Sequence, residues 1–405
     1  MVGVLGVELG GFTMASYYKR GNNYVIRVSC GYDAKGKQVY QSMTWKPEEG
    51  MTAKQIEKEV NRQAVLFEES CKKGFQKKVV KFEVFCEEWF EDYAKQNLRH
   101  TTYTYLHHQR LRVNKAIGHL RMDKITARQI QAFVNSLFKE GANERNGKPL
   151  SVKSARHILN LISDVFGYAV KMGVVSDNPC SKVSLPKIEH KEKQIYTPEE
   201  AAKLLDLLSG EHIKYRAFYN LAIYSGFRRG ELLGLEWKDV DFDNGIISVR
   251  RTSCYTVDRG VYTDTTKTKT SQRTLKFPQF IMDLLKELRE YQDGEALKMG
   301  DHWVETDRLF TKDNGEPQHP NTTYEWLKRF CKKNGLPFYG LHSCRHLFAT
   351  LLVNGGVDIV TVSGALGHSN VTTTSNIYCH ILETARAKVT DVIADALKLT
   401  DKPGA

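Results

Sequence analysis

Leu341-His-Ser-Cys-Arg-His346, Leu366-Gly-His368 and Thr373-Thr-Ser-Asn-Ile-Tyr378, taken with Tyr224-Ser-Gly-Phe-Arg-Arg-Gly-Glu231 upstream, decide how the rest of this chain is read. Among their residues are two arginines, Arg228 and Arg345, two histidines, His342 and His368, and a tyrosine, Tyr378, flanked by short apolar turns. That set suits holding a phosphodiester and attacking it with a phenol. The diester is anionic and repels nucleophiles, and both its attacking and leaving groups are poor. Its charge must be neutralised, the nucleophile deprotonated and the departing oxygen protonated.

Arginine meets the first demand, because the planar guanidinium donates two parallel hydrogen bonds to phosphate oxygens and stays protonated. Arg228 follows Ser225-Gly226, where glycine lets the backbone turn sharply at a helix start. Arg345 lies three residues after His342, one helical turn away on the same face. Either arginine alone reads as an ordinary surface or buttressing residue, and His-x-x-Arg arises by chance in many proteins. Their order with Tyr378, and the apolar frames Leu341 and Leu347-Phe-Ala-Thr350, argue against coincidence. On spacing alone Arg229 competes with Arg228. Glu231, one turn further on, fits pairing with a neighbouring cation and orienting it.

The ring of His368 can donate to a non-bridging oxygen, and His342 can take the phenolic proton or shield the phosphate; His346 and His380 read as structural. Tyr378 is the nucleophile in this reading. A phenol of pKa about 10 attacks poorly until cations surround it, and Arg228, Arg345 and a protonated histidine would lower that value. With nineteen tyrosines in the chain, residue type says nothing; the ten-residue offset from His368 and the threonine-rich lead-in single out Tyr378.

The rest of the chain bounds the setting. A length of 405 residues is too great for one ordinary core, so two or three domains are expected. The net charge of +12 favours a polyanionic partner, of which nucleic acid is the commonest. No window reaches the ~18 continuous apolar residues of a spanning helix. Residues 1–13 are mildly apolar but hold no Lys or Arg, so they lack the basic start of a signal peptide and read as a disordered extension, with Met14 as an alternative start. The eight cysteines are scattered without Cys-x-x-Cys spacing, which argues against a zinc site or disulfide framework and for a reducing cytosol.

Between 14 and 80 the pattern is strand, turn, strand, then a helix. Tyr24, Ile26 and Val28 alternate with polar residues, as does the stretch from Val39 to Thr44. Thr52 with Gln55 reads as a capping box, and Ile56, Val60, Ala64, Phe67 and Cys71 share one helical face. Thirteen Lys or Arg against seven Asp or Glu give this segment +6. Lys19, Arg20, Arg27, Lys35 and Lys37 crowd the sheet and its turns, and a narrow β-ribbon fits a major groove, so DNA contact is expected here.

Residues 81–185 read as all-helical. Phe82, Phe85, Trp89 and Tyr93 stripe the first helix, Ile130, Phe133, Val134 and Leu137 a later one, and Ile158, Leu161, Ile162, Val165 and Phe166 another, all as core. The polar faces carry Arg110, Arg112, Lys153 and Arg156; singly each is an ordinary solvated charge, and as a set they are candidate DNA contacts. Two prolines, Pro179 and Pro186, stop this bundle, and residues 186–195 read as a linker. Thr197 as N-cap, Pro198 at N1 and Glu200 at N3 then specify the helix that opens the domain 196–405, which has a short β region over 245–251, 260–265 and 272–277.

The constellation of Arg228, His342, Arg345, His368 and Tyr378 resembles the tyrosine recombinase family, the DNA strand-exchange enzymes typified by phage integrases. Its likeness is greatest to the integrases of Gram-positive conjugative transposons and temperate phages. The motifs lie over about 197–385; before that the likeness rests more on layout. The resemblance implies a mainly α fold with small β parts in three domains: a three-stranded sheet plus helix that binds arm-type sites (14–80), a helical core-binding bundle (81–185), and a mixed α+β catalytic domain with a tail helix. It assigns the Gly-x-Arg role to Arg228 rather than Arg229, and a hairpin lysine, Lys267 with Lys269 as close rival, as proton donor to the 5′ oxygen.

The same resemblance implies a 3′-phosphotyrosine intermediate, resealing without ATP and a Holliday junction. It implies no cofactor and no metal, since the arginines neutralise the phosphate. The partners would be double-stranded DNA at core and arm sites, a homo-tetramer on DNA, an excisionase and a host DNA-bending protein, with no membrane, in the bacterial cytoplasm at the nucleoid. The helix from Ala385 to Leu399 would dock on a neighbouring protomer. The rivals are a Xer-type chromosome-dimer resolvase, expected to lack the basic N-terminal sheet, a type IB topoisomerase, and a non-catalytic DNA-binding regulator, expected to have lost one of the six residues.

Overall fold

A computed structural model describes residues 15–32, 37–72, 80–188, 194–266 and 269–372. They fall into two compact units that divide between positions 190 and 191. Helices dominate both, with small antiparallel sheets.

The first unit opens with β1 (Ser16–Arg20), β2 (Asn23–Tyr32) and β3 (Gln38–Trp45), an antiparallel sheet in the order β1-β2-β3. Residue alternation suggested two strands here; the third arises because Gly21, at φ +63, and Asn22 form a two-residue turn ahead of the alternating run. Ile26 and Val28 pack on Val60, Ala64, Phe67 and Cys71 of α1 (Ala53–Lys72). As expected, Thr52 and Gln55 cap that helix: Thr52 N donates to Gln55 Oε1 at 2.8 Å and Gln55 N to Thr52 Oγ1 at 3.4 Å. The register Ser16↔Arg27 and Arg20↔Asn23 puts Arg20 and Arg27 on the face away from α1. Lys19, opposite Tyr24, belongs to the other row.

The helical part contains α2 (Phe82–Trp89), a wide π turn (Phe90–Ala94), α3 (Lys95–Asn97), α4 (His100–Val113), α5 (Ala127–Ser136) and α6 (Val152–Lys171). The expected stripe Phe82, Phe85, Trp89, Tyr93 fails at its last member. Tyr93 is 39% exposed, while Phe90 and Ala94 are fully buried. The π turn adds a residue per turn, so the buried face advances by one position after Trp89. Ile158, Leu161, Ile162, Val165 and Phe166 of α6 are all core, and Phe166 meets Phe82 with ring centroids 5.8 Å apart. Each such buried apolar side chain contributes about 1.5–3 kcal/mol.

The second unit begins with α7 (Pro198–Leu208), where Thr197 and Glu200 make the reciprocal cap that the sequence specifies. Next come α8 (Ile213–Ser225), the single turn α9 (Arg229–Leu232), β4 (Val240–Asp241), β5 (Ile246–Val249), β6 (Arg251–Thr256), β7 (Gly260–Thr265) and β8 (Arg273–Lys276). Strands β4-β5-β8 form one sheet and β6-β7 a separate hairpin. The stretch expected as one strand over 245–251 thus breaks at Arg250, and its far end starts the hairpin. Helices α10 (Gln279–Met299), α11 (Pro320–Lys333), α12 (Leu341–Asn354) and α13 (Ile359–Leu366) complete the unit. Its main core centres on α8, through Phe218, Tyr219, Leu221 and Ala222, with Leu285 of α10 and Cys344 and Leu347 of α12. A smaller cluster, Ala349, Val353, Val362 and Leu366, joins α12 to α13.

Candidate active site

Helix α8 ends where Gly226 adopts φ +58, a left-handed conformation open to glycine. A Cβ at Gly226 would come 2.6 Å from Phe348 Cδ1 and 3.1 Å from Leu366 Cδ2, so the position also needs the missing side chain. Ser225 Oγ donates to Leu221 O at 2.5 Å and accepts from Phe227 N at 3.1 Å, which locks the turn. The chain emerges with Arg228 as the residue before α9. Arg228 N donates to Glu231 Oε2 at 2.9 Å, its Nη1 to Glu231 Oε1 at 2.6 Å and its Nη2 to Gly367 O at 3.2 Å. Arg229 borders the same cleft as Arg228, but its Nη1 donates to Asn321 Oδ1 at 3.2 Å, whereas Arg228 reaches Gly367 O.

Arg345 on α12 is only 3% exposed. Its Nη1 donates to Gly226 O at 2.8 Å and its Nη2 to Leu366 O at 2.7 Å. Helix α13 stops at Gly367, at φ +65, and His368 N donates back to Ser363 O at 3.0 Å. The motifs from α8–α9, α12 and the end of α13 therefore meet at one turn, Leu366-Gly367-His368.

Burial and neighbouring charge together set the state of His368. Burial first, then the guanidiniums of Arg345, Arg228 and Arg273 together with His342, hold its pKa down to about 4. A pKa near 4 favours the neutral ring of His368 at pH 7. His342 is exposed on the first turn of α12, its ring edge-on to His346 at 4.8 Å. With Phe227, Arg228, Tyr324 and Phe338 it borders a cleft of about 500 Å3.

Glu231 is 3% exposed. Burial pushes its carboxyl up, but Arg273 and Arg228 outweigh that and hold it below the usual carboxylate range. Glu231, expected to pair with a neighbouring cation, meets two guanidiniums among the described residues, Arg228 and Arg273. Arg273 belongs to none of the motifs that the sequence singles out. Its Nη2 donates to Glu231 Oε2 at 2.9 Å across 42 positions of chain. The one signal available was its position at the end of the lysine-bearing run from Thr265 to Leu275.

Lys267 and Tyr378 lie outside the described residues, as do Lys35, His380 and the segment from Ala385 to Leu399. Lys269 opens the turn Lys269–Ser271 that leads into β8. Arg27 sits over the ring of Tyr40 at 3.8 Å, and Tyr40 and Tyr18 are half exposed on the outer sheet face. Arg20 and Lys37 are exposed, as are Lys153 and Arg156 on α6. Arg110 and Arg112, expected on a polar face, have acidic neighbours within the first unit. Arg110 pairs with Glu87 beside the Phe90 ring, and Arg112 with Glu144 and with the carbonyl of Ala142.

No described helix is long and apolar enough to cross a membrane, and among the described residues no group of three His, Cys, Asp or Glu could hold a metal ion.

The sequence matches the phage integrase family over residues 194–384 and the phage integrase N-terminal SAM-like domain over residues 81–138. It is 31% identical over 298 residues to the ICEBs1 integrase of Bacillus subtilis, covering 72% of this chain and 78% of the relative. A XerC-like tyrosine recombinase of Caldanaerobacter subterraneus subsp. tengcongensis is 28% identical over 401 residues, covering 94% of this chain and 98% of its own length. The fold is similar to that of the Tn1549 transposon integrase in complex with transposon right end DNA, at TM-score 0.66 and 21% identity over 78% of this chain and 100% of that one. It is also similar to a lambda integrase tetramer bound to a Holliday junction, at TM-score 0.54 and 18% identity over 88% of this chain and 96% of that one. The chain belongs to the phage integrase family of tyrosine recombinases.

Proposed function

We propose that this protein is the site-specific DNA recombinase of a mobile genetic element, cutting and rejoining strands through Tyr378. The observation that carries the reading is the convergence of Arg228 and Arg345 on adjacent carbonyls, Gly367 and Leu366, beside His368. Two fixed cations and a neutral histidine form a cradle suited to one phosphodiester, in which charge developing on the non-bridging oxygens meets donors already in place.

In the reaction Tyr378 Oη attacks phosphorus and the bond to the 5′ oxygen breaks. The phenolic proton goes to His342, and the 5′ oxygen takes a proton from Lys267. The product is a 3′-phosphotyrosine and a free 5′ hydroxyl. The reverse attack by another strand's 5′ hydroxyl reseals DNA without an external energy source, and two rounds pass through a Holliday junction. The working assembly is a homo-tetramer on two duplexes in the bacterial cytoplasm, at the nucleoid. Residues 14–80 bind arm sites through Arg20, Arg27 and Lys37. Residues 81–185 lie across the core site with Lys153 and Arg156 toward DNA, and 196–405 cut. An excisionase and a host DNA-bending protein would direct the reaction.

A nicked suicide duplex carrying the joined ends of the encoding element tests this. The nick lets the short 5′ fragment diffuse away, so the protein is trapped as a covalent adduct. A purified protein that binds this duplex yet traps no adduct defeats the proposal. Xer-type resolution of chromosome dimers stays as a second reading because of the XerC-like relative. That match covers 94% of this chain, hence most of residues 14–80, so the N-terminal sheet does not by itself separate the two readings. Recombination of the element's ends, against resolution of plasmid dimers, distinguishes them.

A further inference from the structure

Arg273 heads β8, and its side chain is 7% exposed. It reaches three separate parts of the second unit. Nε donates to Ala365 O near the end of α13 at 2.6 Å, Nη1 to Ser271 O on the preceding turn at 3.0 Å, and Nη2 to Glu231 Oε2 on α9 at 2.9 Å. Its guanidinium lies 4.7 Å from the centre of the Phe227 ring. Gly367 leaves room for it, since a Cβ there would come 2.8 Å from Arg273 Nη1 and 3.2 Å from both Ser271 Cα and Thr270 O.

The carboxylate of Glu231 is thus divided. Oε1 takes Arg228 Nη1, while Oε2 takes the backbone N of Arg228 and Arg273 Nη2. A buried carboxylate left with one guanidinium tends to draw it into a two-pronged grip. Here the second prong is occupied by Arg273, and Arg228 keeps Nη2 on Gly367 O. The same Arg273 holds the carbonyl of Ala365, three residues before His368.

We propose that Arg273 is a positioning residue for strand transfer: by holding Glu231 Oε2 and Ala365 O together it keeps Arg228 and the His368 turn in register around the phosphate. It touches neither DNA nor the reacting atoms. The assignment rests on the strand-transfer reading of the same site. A wild-type protein that forms no adduct would defeat that reading, whereas the comparison below, made once wild type reacts, bears on Arg273 alone.

The experiment is a two-residue cycle with Arg273→Met, Glu231→Gln and the double variant in the full-length protein. Rates of adduct formation are measured on the nicked duplex at saturating protein, with affinity and thermal unfolding measured alongside. A misplacement of about 1 Å costs on the order of 100-fold in rate, so Arg273→Met should be slowed by roughly that factor at saturation with little change in affinity. Removing the charge of Glu231 as well should return part of the rate, making the double variant about tenfold faster than Arg273→Met, because no lone carboxylate then pulls Arg228 aside. A purely structural role predicts losses that multiply, with the double variant slower than either single one. That result overturns the proposal, as does Arg273→Met cutting within about threefold of wild type, a spread expected of sites with no coupling. If Arg273→Met does not fold, the charge-balanced double variant decides, and a rate equal to wild type overturns the proposal.

Discussion

Arg228 and Arg345, separated by 117 positions in sequence, donate to neighbouring carbonyls of one turn: Arg228 Nη2 to Gly367 O at 3.2 Å and Arg345 Nη2 to Leu366 O at 2.7 Å. Their environments differ. Arg345 is buried and anchored at both Nη atoms, whereas the Arg228 side chain is 39% exposed, the more accessible of the two to an incoming phosphate.

Arg228→Lys separates binding from chemistry. An ammonium keeps the charge but cannot reproduce the flat two-pronged clasp, nor hold Glu231 Oε1 and Gly367 O together. Adduct formation should fall by about 100-fold or more, the range for loss of one fixed donor to a developing oxyanion, while affinity falls modestly. Equal cleavage rates would remove Arg228 from the site.

His368 supplies a pH signature. Its folded pKa of about 4 lies below the ordinary value of 6.5, because burial and three guanidiniums disfavour the imidazolium. Between those values the unfolded chain takes a proton that the folded chain refuses. The stability associated with neutral His368 is therefore complete above 6.5 and declines as pH falls toward 4. An NMR titration of labelled histidine, assigned with His368→Asn, should give a midpoint near 4; one near 6.5 would show that the cations do not surround this ring.

Much of this was legible beforehand, and the reason is locality. Thr197 with Glu200 and Thr52 with Gln55 are caps formed within four residues, and Ser225-Gly226 is a helix stop written in adjacent positions. The convergence of Arg228, Arg345 and His368 had no local cause; it was legible only because the ordered motifs resemble a known family. Arg273 has neither advantage. The partners that tie it to the site, Glu231 and Ala365, lie 42 and 92 positions away, and a buried arginine in a strand looks in sequence like any edge cation. The stripe through Tyr93 failed because a π turn changes the period without a mark in composition. Arg110 and Arg112 look in sequence like solvated cations, and their pairing with Glu87 and Glu144 has no local mark either.

Gly367→Ala and Gly21→Ala form a controlled pair. Both glycines hold a positive φ, +65 and +63, but only Gly367 is crowded, by Arg273, Ser271 and Thr270, while Gly21 has nothing within 4 Å. Gly21→Ala should cost about 1 kcal/mol from the left-handed backbone and leave cleavage intact. Gly367→Ala adds steric displacement of Arg273 and should cost about 1–3 kcal/mol in stability along with most of the cleavage. Thermal unfolding and adduct formation check both; equal effects would mean that Gly367 serves the turn alone.

Arg27→Ala tests the outer face of the N-terminal sheet. Arg27 lies over the Tyr40 ring at 3.8 Å, and Tyr40 is itself tied to Gln38 through its hydroxyl, so the guanidinium has a fixed place on that face. Removing a guanidinium that reads a base should cost about 1–3 kcal/mol in binding at arm-type sites, measured by gel shift, without slowing core cleavage. Unchanged arm binding would take this face out of the interface.

Tyr378→Phe bears most directly on the claim that cations gathered at the Leu366-Gly367-His368 turn direct a phenol onto phosphorus. On the nicked duplex, wild type should accumulate a covalent protein–DNA adduct, and Tyr378→Phe should bind with similar affinity and accumulate none. An adduct with the Phe variant would contradict the account.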